Sequence, residues 1–241
     1  MFRGQNTEYK MQNPQSAIRI PKLLWLVRHG ESTANITRQK AESAKLYEID
    51  FPEREMDVPL SDFGKTQSAA LGKWFAELPE KPDLIYASPY LRTIKTTEII
   101  RQTAQIENVE LRLDERLRER ELGFFDRLTK LGAMEKYAEE CAKRELLGKF
   151  YHRPLSGESW VDVILRLRSF IETDLSKLNE EKVLIVTHEV VTHCFRYILE
   201  NLTEAEILAI DASRDVGNCA ITSYEFEGVN CALKLENWSA K

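Results

Sequence analysis

The sequence predicts an α/β fold, a three-layer α/β/α sandwich with a mostly parallel central sheet. Three observations carry this. The runs "LLWLV" (23–27), "DLIYA" (83–87) and "VLIV" (183–186) are short and apolar throughout, as strands covered on both faces are. Amphipathic helical patterns lie between them. Strands that alternate with helices build a parallel sheet with helices on its faces.

Each element follows from local chemistry. Residues 1–20 are polar, rich in Gln and Asn, and without periodicity, so they read as a flexible N-terminal arm; residues 21–241 read as a single domain. Ser61 can cap a helix to about Leu78, with Phe63, Leu71, Trp74, Phe75 and Leu78 on its apolar side. Ser88-Pro89 reads as an N-cap followed by a proline at the first helical position. Ser159 and Asp162 resemble a capping box, and Trp160, Val163, Ile164, Leu167, Phe170, Ile171, Leu175 and Leu178 then keep helical spacing. The segment 128–147 is helical in pattern. "CAITSYEFEG" and "CALKLENW" read as a closing hairpin with Gly228 in the turn. The stretches 36–59 and 120–157 are expected to elaborate the mouth of a site.

Composition limits the function. The chain has 241 residues, 43% hydrophobic and 30% charged, enough for a sizeable core. A net charge of −5 argues against broad nucleic-acid binding, since no basic excess is available to neutralise phosphates. The start of the chain lacks an apolar h-region and no run nears the ~20 apolar residues that span a bilayer, so no membrane partner is expected. Four cysteines without a C-x-x-C pair suit free thiols in a reducing cytoplasm. Oligomeric state is not legible.

The chemistry gathers at strand ends. One run ends in Arg28-His29-Gly30, a second in Ser88 with Arg92 just inside the next helix, a third in His188. Ligands of open α/β sheets bind outside the carboxyl ends of the strands. If these strands are neighbours, two arginines and two histidines converge on one crevice suited to an anion. A lone Arg-His-Gly triplet is weak evidence, and a histidine after a strand is more often a hydrogen-bonded structural residue; the weight lies in three strand ends together. "HEVVTH" (188–193) is one residue too long for the zinc motif H-E-x-x-H. An i,i+5 pair on a helix lies ~140° apart around the axis, so His188 and His193 are not expected to share a metal, and His193 reads as a packing or surface residue.

The ordered motifs "LVRHGEST-x-N", "LS-x-x-G-x-x-Q" (60–67), "ASPYLRTIKTTEII" (87–100), "LRERELG" (117–123), "GES" (157–159) and "VTHE" (186–189) resemble the histidine phosphatase superfamily, the phosphoglycerate mutase-like proteins. The resemblance runs over about residues 22–226. It implies that His29 is a nucleophile that becomes phosphorylated, that Arg28, Arg92, His188 and Asn35 hold the phosphoryl oxygens, and that Glu119 is the proton donor, with Glu115 and Glu121 as competing choices. It implies no cofactor and no metal, and a small phosphorylated substrate. Two departures stand out. Glu189 occupies a position where the family usually has a small residue, and it is expected to point away from a phosphate. The segment from Ile36 to Pro59 is long and charged.

Three functions compete. One is a metal-independent phosphomonoester hydrolase working through phosphohistidine on small metabolites. A second is a phosphoglycerate mutase-type transferase. A third is a non-catalytic phosphate-binding or regulatory module. Against the third, every implied position is filled. Against the second, the Glu-Arg-His-Tyr-Gly run and the segment that follows it in mutases are replaced by "ERELGFFDRLTKLGAMEK", and Ala34 stands where a Trp usually precedes the Asn. Arg38, Arg54, Arg127, Lys130 and Arg153 could line the mouth or simply be solvated.

Overall fold

The structure is a computed structural model that describes residues 21–228 and 230–240; the N-terminal arm lies outside the described residues. Six strands form one sheet: β1 (Leu23–Arg28), β2 (Leu84–Ala87), β3 (Glu110–Leu113), β4 (Lys182–Thr187), β5 (Ile221–Glu227) and β6 (Asn230–Trp238), in the order β3-β2-β4-β1-β5-β6. The first four are parallel, and β5 and β6 run as an antiparallel hairpin turned at Gly228, whose φ is +62°. The expected sandwich with its mostly parallel sheet is therefore what the chain forms.

Strand alternation explains the layers. Leu24 and Leu26 pack with Trp160, Val163, Leu167, Phe170 and Phe195, from α6 (Trp160–Thr173) and α7 (Glu189–Leu199), on one face of the sheet. Trp25 and Val27 point the other way, onto Leu71, Phe75 and Ile100 of α2 (Asp62–Glu77) and α3 (Leu91–Ala104). Side chains i and i+1 of a strand face opposite sides, so an apolar run buried on both faces needs a helical layer on each.

Several expectations change in detail. Ser61 caps α2 by accepting from Gly64 N, but Phe63 is 60% exposed. It sits in the first turn, off the core-facing stripe. The helix after β2 starts at Leu91 with Tyr90 as its N-cap, not at Pro89. The Ser88 hydroxyl is turned to His188 instead. The expected helix 128–147 is two helices, α4 (Lys130–Lys136) and α5 (Ala138–Tyr151), broken at Tyr137, where φ/ψ is −137°/50°. Helices α1 (Thr33–Ser43) and α8 (Glu204–Ser213) and strand β3 complete the elements.

The two elaborations clasp each other. Ile49 N donates to Arg127 O (2.8 Å), Thr129 N donates to Tyr47 O (3.1 Å), and the Arg127 guanidinium donates to the carbonyls of Phe51 (2.8 Å) and Glu53 (2.6 Å). Buried Phe51 and Val58 hold the intervening strap against the body.

Candidate active site

The sheet order places β2, β4 and β1 side by side, with Ala87 beside Val186 and Val27 beside Val186 in register. The three strand ends are thus neighbours, and β1 and β2 are separated by β4, which leaves a crevice at their carboxyl ends. His29 leaves β1 with its N–H donated to Thr187 O (2.9 Å). Gly30 follows because the chain then presses on α2. A Cβ on Gly30 would meet Gly64 O at 2.5 Å, and one on Gly64 would lie inside the Glu31 carbonyl. Ser61 Oγ donates to Glu31 Oε1 (2.6 Å), and Gln67 Oε1 accepts from Glu31 N (2.9 Å). The "LS-x-x-G-x-x-Q" motif is therefore the clamp that fixes the histidine loop.

The His29 ring is set by one bond. Nδ1 lies 2.7 Å from Gly30 O, and a carbonyl can only accept, so Nδ1 carries the proton and Nε2 holds the lone pair. Arg92 Nε donates to that Nε2 at 3.2 Å. Burial, then the charges of Arg92 and Arg28, hold the His29 pKa well below its ordinary value. The ring is neutral near pH 7 and nucleophilic in form.

His188, the residue before α7, is fully buried with its ring centroid 5.1 Å from that of His29. Its Nε2 lies 2.8 Å from Ser88 Oγ, and its Nδ1 has no hydrogen-bond partner among the described residues. Burial and the nearby Arg92 lower its pKa well below the usual value. Arg28 donates from Nη1 to Val216 O and lies 3.1 Å from Glu189 Oε2 through Nη2, while its Nε is buried without a partner. Glu189 therefore does not point away. It ties Arg28 to the loop before β5, where its other oxygen accepts from Val216 N (3.2 Å). A carboxylate in that position removes part of the arginine's charge rather than facing the crevice bare.

Of the two crevice arginines, Arg92 is the more engaged. Besides His29, it donates from Nη1 to Glu55 O (2.7 Å) and from Nη2 to Glu55 Oε1 (2.9 Å). Tyr90 lies under its guanidinium, 4.9 Å from centroid to Cζ, and also packs edge-on against His188. Nothing in the spacing of the sequence pointed to Glu55 as part of this group.

Asn35 lies on α1 and spends Oδ1 on a capping box, accepting from Ser32 N (3.0 Å). The nearby Asn218 donates from Nδ2 to His29 O (3.0 Å). Glu119 accepts from Arg120 N through Oε1 (2.8 Å), and its charge acts on Glu55, Glu189 and Arg120. Its two rivals are otherwise placed: Glu121 accepts from the Tyr90 hydroxyl (3.1 Å), and Glu115 is exposed in a 3₁₀ turn. The loop carrying Glu119 hangs on Arg166, which donates to the carbonyls of Arg116, Arg118 (2.8 Å) and Glu119 (3.4 Å). Glu158 of "GES" in turn accepts from Arg166 and Arg118 and from Glu121 N.

Of the mouth cations, Arg54 pairs with Asp57, Arg127 holds the strap, and Arg153 bonds Gly157 O. Arg38 and Lys130 do line a groove of about 540 Å³, together with Arg120 and Arg144. His193 is buried, stacked on Trp160 at 5.8 Å between ring centroids, and so is a packing residue. Among the described residues no helix is long and apolar enough to cross a membrane.

A sequence profile of the histidine phosphatase superfamily, branch 1, matches residues 24–239. The phosphoglycerate mutase-like protein AT74 of Arabidopsis thaliana is 30% identical over 194 residues, 73% of this chain and 57% of that protein. The 6-phosphofructo-2-kinase/fructose-2,6-bisphosphatase 3 of Homo sapiens is 29% identical over 185 residues, 76% of this chain and 31% of that protein. The chain thus spans little more than half of the first and under a third of the second. The solved mycobacterial glucosyl-3-phosphoglycerate phosphatase Rv2419c, in complex with VO3, superposes with a TM-score of 0.71 at 25% identity, covering 90% of this chain and 100% of the other.

Proposed function

Since the chain belongs to the histidine phosphatase superfamily, we propose that it hydrolyses phosphomonoesters of small metabolites in two steps, through a phosphohistidine on His29 and without a metal. The observation that carries this reading is the His29 ring: neutral, with its proton held at Nδ1 by Gly30 O and its unprotonated Nε2 accepting from Arg92 Nε.

In the first step His29 Nε2 attacks phosphorus. The bond from phosphorus to the ester oxygen breaks, and Glu119, as a carboxylic acid, gives its proton to the departing alkoxide. In the second step the Glu119 carboxylate takes a proton from water, the water oxygen attacks phosphorus, and the N–P bond breaks to release inorganic phosphate. Arg92, Arg28 and His188 stabilise the charge spread over the phosphoryl oxygens, with Asn35 as a further donor. Two guanidiniums and the start of α7 supply the positive field that a metal supplies elsewhere. The Glu-Arg-His-Tyr-Gly run of mutases and the segment after it are replaced here, and Ala34 stands in place of the Trp before the Asn, which favours water over a second hydroxyl as acceptor.

Rapid quench with phosphorus-labelled substrate in EDTA tests the reading. Acid-labile label on His29 and release of inorganic phosphate are expected. Label on Ser32, activity that needs added metal, or isomerisation of phosphoglycerate about tenfold faster than phosphate release would overturn it; the last outcome is separated from hydrolysis by only ~1.4 kcal/mol of barrier.

A further inference from the structure

The two arginines of the crevice each hold a carboxylate, and the two carboxylates are anchored differently. Glu189 is fixed, because Val216 N and Arg28 grip both its oxygens. Glu55 is held only by Arg92: no other hydrogen bond to its carboxylate is found among the described residues. Its side chain is 35% exposed, whereas the Arg92 side chain that it meets is 4% exposed. Burial raises the Glu55 pKa, Arg92 and Arg38 oppose that, and Asp126 and Glu119 add to it. Tyr90 also faces this charge. The carboxylate thus sits among both signs, with one strong partner.

That partner is fully committed. Arg92 gives Nε to the His29 lone pair, Nη1 to the Glu55 main-chain carbonyl and Nη2 to the Glu55 carboxylate. A phosphoryl oxygen that approaches Nη2 competes with the Glu55 carboxylate for it, while Nη1 stays on the main chain of the strap. The backbone of the strap cannot retreat far. Arg127 holds the carbonyls of Phe51 and Glu53, Val58 is buried, and Thr33 N donates to Pro59 O (3.1 Å). Only the side chain is free to swing, and a glutamate reaches a few bonds from its Cα. Once displaced, its charge stays beside the ester.

Building on the phosphatase reading, we propose that Glu55 is an internal anion seated on Arg92 in the free enzyme, displaced by the substrate's phosphate and then retained beside it, so that the site selects esters whose neighbouring carbons carry hydroxyl groups over esters that carry a second negative charge there. The retained carboxylate accepts from a hydroxyl and repels a carboxylate.

The test uses the full chain, as wild type, Glu55→Gln and Glu55→Ala. Calorimetric titration with inorganic phosphate at pH 7.5 reads the seat without turnover. Both variants are expected to bind phosphate about fivefold or more tightly, since a competing like charge is gone. Glycerol 2-phosphate and 2-phosphoglycerate, which differ by a hydroxymethyl in place of a carboxylate, read the selectivity. Wild type should favour the former in kcat/KM, and Glu55→Gln should narrow that preference by about fivefold. Phosphate affinity unchanged or weakened in both variants, or a preference that does not narrow, overturns the proposal. If wild type hydrolyses neither ester, the phosphatase reading falls, and the titration alone still decides whether Glu55 competes for Arg92.

Discussion

At the scale of single residues, one hydrogen bond decides which nitrogen of His29 carries the lone pair, and in the proposed mechanism one carboxylate decides which leaving groups can depart. Glu119 lies on a loop tied down by Arg166 and Glu158, and its charge reaches both Glu55 and Glu189. As the proposed donor to the departing oxygen, Glu119 matters most for poor leaving groups. Glu119→Gln should slow the phosphorylation step from alkyl phosphates by on the order of 10²–10⁴ and spare that of an aryl phosphate, whose anion leaves readily. Single-turnover quench with the two esters measures this; equal losses on both would assign the proton to Glu121 or Glu115. The cationic half of this site was legible because strand ends in an α/β sheet point to one edge, so Arg28, His29, Arg92 and His188 could be read from three short runs. The anionic half was not. Glu55 meets Arg92 across 37 positions of sequence, and a glutamate in a charged loop looks the same whether it is solvated or seated on a guanidinium. Glu189 was visible as a departure, but its direction depended on Val216, which no local pattern reports.

At the scale of elements, signals that act within one turn were readable and those that need a distant partner were not. The Ser159–Asp162 capping box forms as expected, with Ser159 Oγ accepting from Asp162 N at 3.1 Å and Asp162 Oδ2 accepting from Ser159 N at 2.8 Å. It starts α6, whose apolar stripe packs under β1 and β4. Ser159→Ala should cost about 1 kcal/mol and lower Tm by roughly 2–4 °C in a chain of this size, read by calorimetry; no change would mean that packing of Trp160 alone sets the helix start. By contrast, the run 128–147 keeps helical composition across Tyr137, where the backbone leaves the helix, and composition cannot mark such a break. Strand β3 escaped notice because "ELRL" is short, charged and at the sheet edge. Ser88 carried the N-cap signature, yet its hydroxyl serves His188, an outcome set by β2 and β4 being neighbours.

At the scale of the whole molecule, all four histidines are held below their ordinary pKa, chiefly by burial. The unfolded chain binds these protons at a pKa near ~6.5, and the folded chain binds them only at lower pH. Stability from these groups is therefore complete above that value and is lost as pH falls, because the unfolded state then takes up more protons. Half-buried Glu55 and Glu189 act in the opposite sense, since their raised pKa values let the folded chain take up protons first. His193 separates the two effects. It lies outside the crevice between Trp160 and Asp211, is 2% exposed, and has its pKa lowered to about 4. Asp211 opposes that shift, while Arg196, Lys149 and Arg28 reinforce it. Its share of the loss between pH 7.5 and 5.5 is roughly 1.4 kcal/mol, one proton taken up by the unfolded chain over about one unit of pH below its own pKa. Wild type should therefore melt several degrees lower at pH 5.5 than at pH 7.5. His193→Phe keeps the stack on Trp160 and removes the titration, so its melting temperature should fall less over the same interval, by roughly 3–5 °C. Melting curves of both proteins across that range decide the matter. A parallel fall in the two would place the acid sensitivity in the other three histidines, His29, His152 and His188, and a melting temperature that rises in wild type would mean that the two carboxylates outweigh the histidines.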